Sequence, residues 1–178
     1  ESPRGRTFTI LHELVHLMIA VKLQEMPLVT LPLLREGVAV RYGGRWGKRV
    51  TALMDLGVYL YREKLVELDS IITVAGFESS AGADIAYPVA GLFASWVFER
   101  SGMAGFFDLY RKFSFSDATL DTMNHVEIRR RLTEGLKLPD WEAVLTGFAS
   151  YLDSAADRVA VARPGGGIQA SPVGSRPG

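Results

Sequence analysis

Cysteine is absent from this chain. Disulfides, thiolate catalysis, iron–sulfur clusters and cysteine-rich zinc sites are therefore excluded. An excess of either charge is missing too: 20 Lys and Arg balance 20 Asp and Glu. Binding to phosphate backbones draws on a basic excess or a basic face, so nucleic acid is not expected as a partner. No uninterrupted apolar run approaches the roughly 18 residues of a membrane span. The most apolar stretch, Ile10 to Leu34, is broken by His12, Glu13, His16, Lys22, Gln24 and Glu25. No Gly-x-Ser-x-Gly is present, and neither Gly43-Gly44 nor the glycines from 76 to 82 follow a phosphate-loop pattern. There is no internal repeat and no convincing strand, since Arg49 to Leu53 is too short to count. What is present is a chain of 178 residues, 48% hydrophobic and 22% charged, which is enough for one domain with a real core.

The pattern reads as successive helices. The first is expected over about Thr9 to Gln24, with Thr7 or Thr9 as N-cap and Pro27 just beyond its end. A second begins near Pro32, a residue favoured at the first helical position, and stops at Gly43-Gly44. Further helical patterns cover Val50 to Lys64, Glu67 to Thr73, Asp84 to Arg100 and Met103 to Phe113. A Gly/Ser/Ala loop is expected over Gly76 to Ala83, and Ser101-Gly102 as a helix stop. Asp121 to Gly135 and Pro139 to Ser154 form a closing pair, with Trp141, Val144, Leu145, Phe148 and Leu152 at core spacing. The expectation is a mainly α fold: one helical domain over 1–162 and a disordered Gly/Pro/Ser-rich tail over 163–178. The chain begins at Glu1 with no signal-like segment, so it reads as a piece of a longer product and gives no compartment.

The chemistry concentrates in His12-Glu13-Leu14-Val15-His16. On a helix, residues four apart share a face, so the two imidazoles can converge on one tetrahedral metal ion. Glu13 lies beside them, displaced around the helix, where a carboxylate can act on a water without ligating the metal. The surrounding residues Ile10, Leu11, Leu14, Val15, Leu17, Met18, Ile19 and Val21 are apolar on nearly every side, which predicts a buried helix. Two histidines and a glutamate buried there need partners, and either a metal or a hydrogen-bond network would serve. Glu36, between Leu34 and Val38, is the candidate third ligand, with an exposed carboxylate paired to Arg35 or Arg41 as the alternative. Two histidines and a carboxylate would leave a fourth position open, as in catalytic rather than structural zinc sites.

His12-Glu13-x-x-His16 followed by Glu36-Gly37-x-Ala39 resembles the gluzincins, and within them the peptidase-MA-like group related to thermolysin and the zinc aminopeptidases. The segment from Ala86 to Gly102 is similar to the helix downstream of the third ligand in that group, and Leu132 to Leu152 to its closing helices. The resemblance spans roughly Thr7 to Ser154. It implies a Zn²⁺ ion held by His12, His16 and Glu36, Glu13 as general base, and Tyr87 as the oxyanion-stabilising tyrosine. The implied activity is hydrolysis of peptide bonds in a peptide or protein substrate by a metal-activated water. The other readings are a degenerate peptidase-like interaction module, or a metal-dependent hydrolase of non-peptide substrates.

Two departures stand out. The β-sheet that precedes the metal-binding helix in such enzymes has no counterpart here, so the expected fold is a helical zincin-like subdomain without its upstream sheet. Such a unit is expected to pack against an upstream domain of the parent protein or against a partner chain. Thermolysin-like members also carry an aspartate four residues after the glutamate ligand, where this chain has Val40. The partner orienting the histidine ligands then comes from elsewhere, with Glu78 and Asp84 as candidates, or is absent. His125 and Arg129-Arg130-Arg131 read as surface residues, and Trp46, Trp96 and Trp141 as core or core-edge.

Overall fold

The computed structural model describes residues 3–23, 29–79, 84–114 and 117–162. The expected tail over 163–178 lies outside them. The described elements are α1 (Pro3–Leu23), α2 (Pro32–Gly43), α3 (Val50–Arg62), a 3₁₀ turn (Leu68–Ile71), α4 (Val74–Ser79), α5 (Ala86–Lys112), α6 (Asp117–Thr122), α7 (His125–Leu136) and α8 (Trp141–Ala162). The mainly α expectation holds. Among the described residues the one β feature is an isolated antiparallel bridge between Arg45 and Lys48.

α5 is the hub. Val89, Ala90, Phe93, Ala94 and Val97 are fully enclosed, and α2, α3, α7 and α8 pack around them. α2 is seated between α1 and α5. It starts where Pro32, whose missing N–H costs nothing at a helix start, follows Leu31; the Leu31 carbonyl accepts from Leu34 and Arg35 N–H at 2.9 and 3.0 Å. Its fit against α5 requires Gly37, because a Cβ there would lie 2.4 Å from the Ala90 carbonyl oxygen. The closing pair packs as its spacing predicts: Val144, Phe148 and Leu152 are buried, and the Phe148 ring meets Tyr61, Phe93 and Trp96 edge-on or tilted. α7 is capped by Asn124, whose side chain accepts from Glu127 N–H at 3.0 Å.

Several expectations are refined or corrected. The expected stop at Ser101-Gly102 holds in the backbone: Gly102 leaves helical geometry at φ 68°, and α5 is two helical runs joined by a kink there. The presumed loop from Gly76 begins instead inside α4, where the Gly76 N–H bonds the Thr73 hydroxyl; residues 80–83 lie outside the described set. Asp121 to Gly135 is broken in two by the Asn124 cap. Of the two readings for Trp46, core or core-edge, its 40% exposure and its ring contact with half-buried Tyr87 fit the edge.

The largest correction concerns α1. Ile19, Ala20 and Leu23 are buried, but Ile10, Leu11, Leu14, Leu17, Met18 and Val21 are exposed. Apolar residues on all sides of a helix require neighbours on all sides. Among the described elements α1 has its main packing partner, α2, on one side.

Candidate metal centre

Three side chains separated in sequence meet where α1 crosses α2. His12 (2% exposed) and His16 come from α1, one turn apart, and Glu36 (6% exposed) comes from α2. One ligand atom from each lies within 4.8 Å of the others, a grouping able to hold a metal ion. Glu36 Oε2 is 3.2 Å from His12 Nε2 and 3.4 Å from His16 Nε2. Two ligands on a tetrahedral zinc, each about 2.0–2.1 Å from the ion, lie about 3.3–3.4 Å apart by simple trigonometry. The carboxylate-to-imidazole spacings therefore suit such an ion.

The crossing is close because α2 ends in glycine. A Cβ on Gly43 would lie 2.5 Å from His12 Cα and 2.6 Å from His12 N, both main-chain atoms that cannot step aside cheaply. Gly43→Ala is thus expected to push α1 off α2, lowering stability by about 1–3 kcal/mol and weakening metal binding with it. Denaturant unfolding alongside a zinc titration checks this; a variant matching wild type in both would show that the crossing has slack.

α2 then terminates at Gly44, with φ 66° and its N–H on the Val40 carbonyl. This directs the Gly44 carbonyl at α1, where His12 Nδ1–H donates to it at 2.8 Å. A carbonyl only accepts, so Nδ1 carries the proton, and in that tautomer Nε2 presents its lone pair to Glu36. Two acceptors facing each other at 3.2 Å call for a cation or a proton between them. The donor set and the tautomer together fit a divalent metal. The orienting partner of His12 is thus the Gly44 main chain, while Glu78 and Asp84, the candidates for that role, are both exposed.

Two arginines complete the electrostatics. Arg35 Nε–H donates to Glu36 Oε1 at 2.9 Å, so the carboxylate engages a guanidinium with one oxygen and the histidines with the other. Burial opposes ionisation of Glu36, but the adjoining His12 and His16 imidazoles and the charge of Arg35 outweigh it and hold the group well below the usual carboxylate range. Arg45, on the turn after α2, places Nη1 3.2 Å from His12 Nε2 and 3.8 Å from Glu36 Oε2. Sequence reasoning missed Arg45; its only signal was its position one residue past the glycine pair.

Tyr87, the second residue of α5, reaches the same place. Its ring is half-buried, 6.3 Å from the His12 ring and in edge contact with Phe77 and Trp46, with Arg45 Cζ 3.3 Å from its centroid. Burial raises the Tyr87 pKa and the Glu36 carboxylate adds to the shift, so the phenol stays protonated at neutral pH. Glu13 is exposed on α1, beside the ligand pair in sequence. The residues read as surface stay outside the site: His125 Nε2 lies 3.2 Å from the Asp69 carbonyl oxygen, Arg129 pairs with Asp69, Arg130 with Glu127 and Glu134, and Arg131 with Glu127. No helix of the described residues is long and apolar enough to cross a membrane. Compared with models of known families, with curated proteins and with solved structures, the chain matches none.

Proposed function

We propose that the chain is the helical catalytic subdomain of a zinc-dependent peptidase of the gluzincin kind. The observation that carries this reading is the convergence of His12 Nε2, His16 Nε2 and Glu36 Oε2, with His12 locked by Gly44 in the tautomer a metal requires. His12, His16 and Glu36 would hold the zinc. When bound, the metal supplies Lewis-acid activation of a water and of the scissile carbonyl. Glu13 accepts a proton from the attacking water and returns it to the leaving amine nitrogen. Its exposure leaves its carboxylate free to meet a water and a substrate from solvent. Tyr87 donates a hydrogen bond to the carbonyl oxygen as that oxygen gains charge.

The absence of any strand among the described residues favours a second reading. Extended peptides are commonly gripped by strand addition to a sheet edge. With no such edge among them, the site would also suit a hydrolase of non-extended or non-peptide substrates, or a module that keeps the metal for structure. Parallel assays on peptide and ester substrates separate these readings. The exposed apolar face of α1 suits burial against an upstream domain or a partner chain, as the full enzyme would supply.

Metal content tests the reading at its base. The purified protein is expected to hold about one zinc per chain, and the His12→Ala/His16→Ala double variant none. Elemental analysis decides it, and full occupancy in the double variant would move the site elsewhere.

A further inference from the structure

His12 Nε2 has a single in-plane lone pair. Arg45 Nη1–H, at 3.2 Å, donates to it. A metal coordinated through Nε2 uses the same lone pair, so the Arg45 hydrogen bond and the metal bond exclude each other. The guanidinium is also a full positive charge 3.8 Å from Glu36 Oε2, the oxygen that the metal would share with both histidines. Arg45 therefore occupies, chemically, the role of the cation between two facing acceptors.

Its attachment lets it leave that role without leaving the site. The turn that carries it is pinned by the Lys48 N–H to Arg45 carbonyl bond at 2.8 Å. The guanidinium carbon lies 3.3 Å from the Tyr87 ring centroid, a cation–π contact that holds the head group at the site. Its Nε–H is buried without a hydrogen-bond partner, so the position on His12 does not satisfy the whole fork. Rotation about the side-chain torsions over the same ring would turn free N–H groups toward the side on which Tyr87 works.

Resting on the peptidase reading above, we propose that Arg45 is a two-position cation: it competes with the metal for His12, and once displaced it faces the carbonyl oxygen of the substrate beside Tyr87. Arg45 thus lowers the affinity of the site for metal while raising the turnover of the loaded enzyme. Loss of a residue of purely structural importance would lower both.

The test measures zinc affinity, by competition with a chromophoric chelator at fixed pH, and kcat at saturating zinc. It compares wild type, Arg45→Met, Arg45→Gln and, as a control for charge on the same turn, Lys48→Met. Arg45→Met and Arg45→Gln are expected to bind zinc about 10-fold more tightly, the effect of removing one charge-assisted hydrogen bond, and to turn over at least 10-fold more slowly. Lys48→Met is expected to stay within twofold of wild type in both. The glutamine variant keeps polar amide donors over Tyr87, so agreement between the two variants rules out a folding defect peculiar to methionine. Zinc affinity that is unchanged or weaker in both variants overturns the competition. Tighter zinc with unchanged kcat overturns the second position. If wild type and all variants fail to bind zinc, the metal reading itself falls, and this inference with it.

Discussion

Glu13→Gln is expected to keep its zinc and lose hydrolysis, while Glu36→Gln loses the zinc itself. The two glutamates differ in what surrounds them. Glu36 is buried, lies within 3.4 Å of both histidines, and is held ionised by His12, His16 and Arg35. Amidation removes the charge that a divalent ion needs and puts a donor NH₂ group where an acceptor stood. The loss of affinity should exceed the roughly 10–100-fold that loss of an outer partner costs at metal sites. Glu13 is exposed and outside the ligand triangle, so its amide leaves the three ligand atoms where they are. Removing a positioned general base costs on the order of 10²–10⁴ in kcat. Zinc content and peptide cleavage measured on both variants give the answer. A Glu13→Gln protein that cleaves like wild type would strip Glu13 of its role, and a fully loaded Glu36→Gln protein would remove Glu36 from the ligand set.

Tyr87→Phe is expected to lower kcat by about 10²–10³, the usual effect of deleting one oxyanion donor, with zinc content and unfolding midpoint close to wild type. Phenylalanine keeps the ring contacts to Phe77, Trp46 and Arg45, so packing survives. What disappears is a phenol kept protonated by burial and by the neighbouring Glu36 carboxylate, and therefore able to donate at neutral pH. An unchanged kcat would reduce Tyr87 to a packing residue at the start of α5.

The grouping of His12, His16 and Glu36 was legible in the sequence because its information is local. His12 and His16 need only a helix to share a face, and Glu36 needs only a turn to bring α2 back. Pro32 and the glycine pair marked the ends of α2 for equally local reasons, a fixed φ at one end and a positive φ at the other. What the sequence hid was non-local. Apolar residues on every side of α1 suggested a buried helix, but burial depends on how many neighbours arrive, and the sequence of one helix does not say. Arg45 carried no signal beyond its place after the glycine pair, and an arginine in a turn is usually solvated. Its place over Tyr87 exists only once α5 has docked against α2.

The hydrogen bond from His12 to the Gly44 carbonyl has a consequence for how such a centre drifts and how it can be redesigned. A carboxylate that orients a metal-ligating histidine can be lost by one base change, or tuned by exchange of Asp for Asn. A peptide oxygen can be neither deleted nor titrated by substituting its own residue. With φ 66° and ψ −164°, residue 44 takes a backbone that essentially glycine alone adopts, so the acceptor stays on the main chain while the position itself is held to glycine. The orientation of His12 is correspondingly hard to adjust by mutation, whereas the charge around Glu36 can be changed through the side chains of Arg35 and Arg45.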